Sequence, residues 1–196
     1  MYLKIFIKIN IYIIYMFHYT NSFINSKNID TYVYISCTDF DKKIKKLEKK
    51  FKFKFPAKFY SYFKGETNKF TKLFIKDKLF IIGKINEKKC SFADVDKILK
   101  KICSLIRDDD KINNIQFLLI PIEEFIRHQV LRIVYYMYSF KKHKTKKKEL
   151  KKSIHFCAVN KLKSLILNSI KEAEIINDMR DMVNEPGNVM DSTTFV

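Results

Sequence analysis

From Thr31 onward the spacing of apolar residues switches repeatedly between a period of two and one of three to four, and few folds accommodate that. Thr31 to Cys37 (TYVYISC) is rich in β-branched and aromatic residues and reads as a strand. Ile44, Leu47 and Phe51 then mark an amphipathic helix over Asp39 to Phe51, with Asp39 or Asp41 placed to cap its start. Phe53 to Phe63 is an aromatic stretch around Pro56, closed by a turn at Phe63-Lys64-Gly65-Glu66. Phe70 to Ile75 and Lys78 to Ile82, parted by Lys76-Asp77, read as a hairpin that ends at Gly83. After Asp94, the residues Val95, Ile98, Leu99, Ile102 and Ile106 share one helical face, and Asp108-Asp109-Asp110 ends the helix. Ile115 to Ile120, stopped by Pro121, has the length of a buried strand.

The same alternation continues to the end. Glu123 to Phe140 reads as a largely buried helix, Lys141 to Lys152 as a basic solvated connector, and Ser153 to Val159 as a strand. Leu162 to Met182 is a helix with Leu165, Ile166, Ile170, Ala173, Ile176 and Met179 inward, broken by Pro186-Gly187. Strands alternating with helices in this order predict an α/β layer structure built on a mixed sheet.

The first seventeen residues admit two readings. Leu3, Ile5, Ile7, Ile9, Ile11 and Ile13 alternate with Tyr2, Lys4, Phe6, Lys8, Asn10 and Tyr12, the pattern of a strand with one buried face. The alternative is a hydrophobic leader or membrane anchor. Lys4, Lys8 and Asn10 leave the apolar run short of the roughly 20 residues a spanning helix needs, and no small-residue cleavage site follows. Asn21 to Asp30 reads as a loop.

A net charge of +18 raises the question of an anionic partner. Lysines are spread along the whole chain and arginine, the residue suited to bidentate phosphate and base contacts, is scarce. That argues for a Lys-biased solvated surface and against specific nucleic-acid binding. The cluster Lys141 to Lys148 lacks interleaved aromatics and reads as a loop. Cysteines 37, 90, 103 and 157 show no C-x-x-C spacing, so free thiols in a reducing compartment are expected.

No catalytic or metal-ligating set emerges from spacing. Asp108 to Asp110 lack the Gly and Glu of a calcium loop. Glu123 and Glu124 suit a helix N-terminus. His155 and Cys157 share a strand face as a nucleophile pair would, but without an orienting acid or oxyanion donor.

One segment is more specific. In KEAEIINDMRDMVNEPGNVMDSTTFV, residues 171–196, Arg180, Asp181, Val183, Asn184, Pro186 and Asn188 resemble the passage Arg-Asp-Leu-Val-Asn-x-Pro-x-Asn of the leucyl (cytosol) aminopeptidases, with Met182 in place of Leu. Asp191-Ser192 stands where that family usually has Thr-Pro. Upstream, Phe63 to Glu66 resembles the family's Phe-x-Gly turn, and Leu79 to Lys84 its Gly-ended strand with one Gly lost. Tyr138, Phe140 and Lys144 resemble the end of its helix, His143 replacing Tyr.

The resemblance implies a macro-domain-like mixed sheet flanked by helices, joined by a C-terminal linker helix to a catalytic domain. That division places an N-terminal strand and loop at 1–29, the aminopeptidase-like domain at 30–160, and the linker with the start of a catalytic domain at 161–196. The family removes N-terminal residues from peptides with two divalent metals, manganese, zinc or magnesium, and assembles as a hexamer in the cytoplasm. Its metal-binding lysine and its Asn-Thr-Asp-Ala-Glu-Gly-Arg motif lie beyond the matched passage, so no catalytic residue or metal ligand carries over. Arg180, Asp181, Asn184, Pro186 and Asn188 are then expected to act structurally. The expectation is a truncated or split product, inactive as a peptidase alone and able to pair with a separately encoded catalytic half or with itself. Two other classes stay open: a ligand-binding or oligomerisation module, and a basic membrane-associated protein.

Overall fold

The chain's structure, a computed structural model, describes residues 15–20, 28–65, 68–86, 90–138 and 152–184. In chain order these form β1 (Tyr15–Thr20), β2 (Thr31–Ser36), α1 (Phe40–Phe51), α2 (Ala57–Phe63), β3 (Lys69–Ile75), β4 (Lys78–Lys84), α3 (Phe92–Asp108), β5 (Asn114–Leu118), α4 (Glu123–Met137), β6 (Lys152–Cys157) and α5 (Lys163–Asn184). The strands make one sheet in the order β1-β6-β5-β2-β4-β3. Every pairing is parallel except β3 with β4, so the sheet is mixed, as the alternating pattern predicts.

Period-two alternation sorts the side chains of each strand onto opposite faces. Val33, Ile35, Ile81, Ile115, Phe117, Ile154 and Phe156 meet α3, α4 and α5 in an aliphatic core. Tyr32, Tyr34, Phe80 and Ile82 face α1 and α2 in an aromatic one. There the Phe80 ring lies 5.1 Å from Phe51 and 5.0 Å from Phe53, and Phe55 stacks on Phe59 at 4.3 Å. Burial of such rings supplies most of the driving force, at roughly 25 cal/mol per Å² of apolar surface.

The strand expected over Leu3 to Ile13 lies outside the described residues, and the first described strand is Tyr15–Thr20. Within the described residues several local expectations need correction. The aromatic stretch after Pro56 is a short helix, because Pro56 sits at its N-cap and Phe59 and Phe63 are inward. Asp39 occupies the N-cap of α1 in a left-handed conformation, φ 48°, and its side chain makes no capping bond. In α3 the cap is Ser91, whose hydroxyl accepts from the Asp94 amide at 3.2 Å and donates to the Asp94 carboxylate at 2.7 Å. The one described residue of the basic connector is not solvated: Lys152 opens β6, is fully buried, and donates its ammonium to the carbonyls of Ile106 and Asp109. It thereby satisfies carbonyls at the end of α3, which is why a lysine is tolerated inside. The rest of that cluster, 141–148, lies outside the described residues.

Two turns follow backbone rules. Lys76 and Asp77 both have positive φ, 48° and 61°, the tight hairpin geometry whose twist matches that of the flanking strands. Gly83 has a packing reason: a Cβ there would stand 3.3 Å from Ile98 Cγ2, so glycine lets α3 lie close on the sheet.

Candidate functional site

In a chain whose cations are nearly all lysine, the arginines stand at 107, 127, 132 and 180, and each joins or lines the layer of α3, α4 and α5. Arg107 of α3 donates to the Tyr136 carbonyl at 3.1 Å. Arg180 of α5 donates to the Tyr135 carbonyl at 3.1 Å. The C-terminal end of α4 is thus capped from both neighbouring helices by guanidinium groups, which also oppose the negative end of its dipole. Arg127 pairs with Glu172 across α4 and α5, and Arg132 with Asp96 across α4 and α3 at 3.1 Å.

The residues singled out by the aminopeptidase resemblance meet at this end. The Arg180 guanidinium lies between two rings, 4.1 Å from the centre of Tyr135 and 3.9 Å from that of Tyr138. The Tyr138 hydroxyl donates to Asp181 at 2.6 Å and accepts from the Asn184 amide at 3.3 Å. Asn184 also donates to the Arg180 carbonyl at 2.7 Å. Arg180, Asp181 and Asn184 therefore sit on one face of α5 and clasp the end of α4. Pro186 and Asn188 lie outside the described residues. Burial, with the bond to Asp181, pushes the Tyr138 phenol up to about 12, so it stays a proton donor.

A second cluster lies further along the same helices. Asp96 accepts from the Tyr136 hydroxyl at 2.7 Å and faces His128 at 3.8 Å. Burial lowers the His128 basicity, while the Asp96 charge works against that shift. Next to it a groove of about 220 Å³ opens between α4 and α5, lined by His128, Leu131, Arg132, Tyr135, Ala173 and Ile176. A groove of about 200 Å³ on the other side of the sheet is lined by Tyr34, Leu118 and the α1 lysines 43, 46 and 50. Both fall below the roughly 300 Å³ at which small-molecule sites usually begin.

None of this assembles a nucleophile and base. His155 stacks on His18 with ring centres 4.7 Å apart, and its Nε2 is 3.3 Å from the Ser153 hydroxyl. Burial lowers its basicity to about 4, so the imidazole is neutral at pH 7. Cys157 packs in the aromatic core and burial raises its thiol. Among the described residues no three His, Cys, Asp or Glu side chains come together to hold a metal ion. Among them, too, no helix is long and apolar enough to cross a membrane.

The inward stripe of α5 was only half legible. Ile166, Ile170 and Ala173 are buried as expected, but Ile176 and Met179 are 38% and 60% exposed. From Asn177 onward the face toward α4 is polar (Asn177, Arg180, Asp181, Asn184), so the apolar residues fall outside. Ile175, Met179, Met182 and Val183 form an exposed stripe there. The polarity of the helix is inverted along its second half.

No family model and no curated protein matches the sequence. The fold does match solved structures. It superposes on a point mutant of tomato leucine aminopeptidase with a TM-score of 0.66 at 12% identity, over 94% of this chain and 41% of that protein. It superposes on the bottromycin maturation enzyme BotP, solved in complex with manganese, with a TM-score of 0.60 at 13% identity, over 85% of this chain and 34% of that one. The protein is thus an α/β domain with a fold like part of these enzymes. The chain spans about two fifths of the aminopeptidase and one third of BotP. Identities this low describe a common fold and leave activity open.

Proposed function

We propose that residues 30–160 are the non-catalytic domain of a leucyl-aminopeptidase-like metallopeptidase, and that α5 is the linker which presents it to a catalytic domain. The observation that carries this reading is the inverted polarity of α5. A helix that turns polar residues inward and Ile175, Met179, Met182 and Val183 outward is built to be covered. The fold likeness supports this reading, since the aminopeptidase on which the chain superposes has more than half of its length outside the match. The Tyr138–Arg180–Asp181–Asn184 clasp fixes the direction in which α5 leaves the domain.

On this reading the chemistry belongs to the covering domain. Two divalent metals there, manganese, zinc or magnesium, would polarise the scissile carbonyl and activate water. The residues of this chain would orient and stabilise that domain, and peptides would be the substrate of the whole. The setting would be cytoplasmic. The test is an assay on leucine amide with added manganese. The purified chain is expected to release no leucine above buffer, and robust turnover by the chain alone would overturn the proposal.

A further inference from the structure

At one margin of the sheet β3 pairs, among the described residues, with β4 alone, so its other edge is open. The register fixes which backbone groups that edge presents. Ile75 and Lys78 flank the turn Lys76-Asp77 and form the hydrogen-bonded pair that closes such a hairpin. Bonded and non-bonded pairs alternate from there, so Leu73, Thr71 and Lys69 also bond to β4. Phe74, Lys72 and Phe70 therefore turn their amides and carbonyls outward. The Tyr62 hydroxyl of α2 agrees with this, since it donates to the Phe70 carbonyl at 3.1 Å. It also occupies that end of the edge, which leaves Lys72 and Phe74 as the open stretch.

The side chains of this stretch share one face. Phe70 packs against the aliphatic core, whereas Leu73 and Ile75 pack against the aromatic one, so Phe70, Lys72 and Phe74 stand on the α3 side of the sheet. The helices do not cover the end of the strand: Phe74 is 76% exposed, and Lys72 is exposed beside it. A lysine on an edge blunts pairing with other chains, but a large ring left in water next to it does the opposite. We propose that the β3 edge is a docking site for an extended acidic segment of a partner protein. The segment adds to the sheet as an antiparallel strand, with an apolar residue opposite Phe74 and a carboxylate opposite Lys72. This inference does not depend on the aminopeptidase reading.

The pairing geometry sets the partner's pattern. In an antiparallel ladder the residue opposite Lys72 comes two after the residue opposite Phe74, so the segment reads apolar-x-acidic. Each of these residues exchanges an N–H and a C=O with its β3 partner, and their side chains meet across the strands on the α3 face. Charge decides between occupants. A second copy pairing β3 with β3 about a two-fold axis would set like charges opposite each other at Lys72, with about 5.5 Å between Cα atoms. It would also need the Phe70 carbonyl that Tyr62 holds. Two chains of net charge +18 repel besides. An acidic strand meets Lys72 with the opposite charge and is drawn in by the same field.

The intact, isotope-labelled chain is titrated with the acetylated and amidated peptide Thr-Thr-Val-Thr-Glu-Thr-Thr and followed by amide NMR. Saturable shifts are expected at the Lys72 and Phe74 amides. Methylating the backbone nitrogens of the peptide's Val and Glu keeps its charge but removes the donors, and is expected to weaken binding about tenfold. Phe74→Thr is expected to weaken it about threefold. Lys72→Glu is expected to reverse the preference, so that a peptide with Lys in place of Glu binds better than the original. Both positions are exposed, and the wild-type titration stands whether or not a variant folds well. Equal binding of the methylated peptide would reduce the effect to charge and overturn the proposal. So would shifts confined to other lysines, the absence of any saturable shift, or a wild-type dimer in sedimentation that Phe74→Thr abolishes, which would make the occupant a second copy.

Discussion

The guanidinium of Arg180 rests 3.9 Å from the ring of Tyr138 while Asp181, its chain neighbour, accepts the hydroxyl of the same tyrosine at 2.6 Å. One tyrosine just past the end of α4 thus engages both a cation and an anion of α5, and the two helices are held there by polar contacts where packed apolar residues would be usual.

Arg180→Ala removes two ring contacts and the bond to the Tyr135 carbonyl. A loss of about 1–2 kcal/mol in urea unfolding is expected, since each such interaction contributes on the order of 0.5–1 kcal/mol. Hydrogen exchange is expected to rise first in the last turns of α5. Arg180→Lys restores little of this, because an ammonium cannot stack between two rings and donate in the same plane.

Gln129 makes a comparable but buried connection. Its amide accepts from the Ile120 amide at 3.1 Å and donates to the carbonyls of Ile120 and Phe125 at 3.3 and 3.1 Å. At 1% exposure nothing replaces those partners. Gln129→Leu is expected to cost about 2–3 kcal/mol, because backbone groups then stay buried and unpaired. A urea midpoint unchanged from wild type would show that water reaches the β5–α4 junction.

The stacked histidines predict a pH dependence. Burial, and then the charge of His18, lower the His155 basicity from 6.5 to about 4 in the folded state. Between those values the unfolded chain binds more protons than the folded one, so stability rises with pH across that window and falls as pH drops from about 6.5 toward 4. Urea midpoints over this range check the sign. His155→Gln is expected to flatten the slope, leaving the smaller parts from His18 and His128, whose basicity burial also lowers.

How much of this was legible in the sequence depended on which force sets each feature. The sheet and its helices follow from hydrophobic period, so Thr31–Ser36, the hairpin and α3 stand within a few residues of their expected places. The α2 helix was missed because seven residues after a proline show too little periodicity, and its stability comes from Phe63 meeting Phe40 on α1 and Phe59 stacking on Phe55 in the segment before it. Lys152 was missed because burial of a lysine depends on carbonyls that only the tertiary fold presents. For the clasp, the motif residues Arg180, Asp181 and Asn184 were singled out, but their partners, Tyr135 and Tyr138, lie more than forty residues away at the end of α4. The positions of the four arginines were the unused signal, since each lines or joins the layer of α3, α4 and α5.

The outer stripe of α5 gives the last prediction. Val183 is 85% exposed, and Ile175, Met179 and Met182 are each more than half exposed. In a free domain they contribute little to stability, and exposed positions of this kind usually change it by less than about 0.5 kcal/mol. Ile175→Glu with Met179→Glu is therefore expected to leave the urea midpoint within error, helped by the better helix propensity of Glu over Ile. The same double change is expected to lower binding of a hydrophobic dye and any concentration-dependent association, because it places two like charges four residues apart on the stripe. The measurement separates two origins of an apolar face. A stripe covered within the domain would give unfolding on substitution, whereas a stripe meant for a covering domain gives a folded protein that no longer associates.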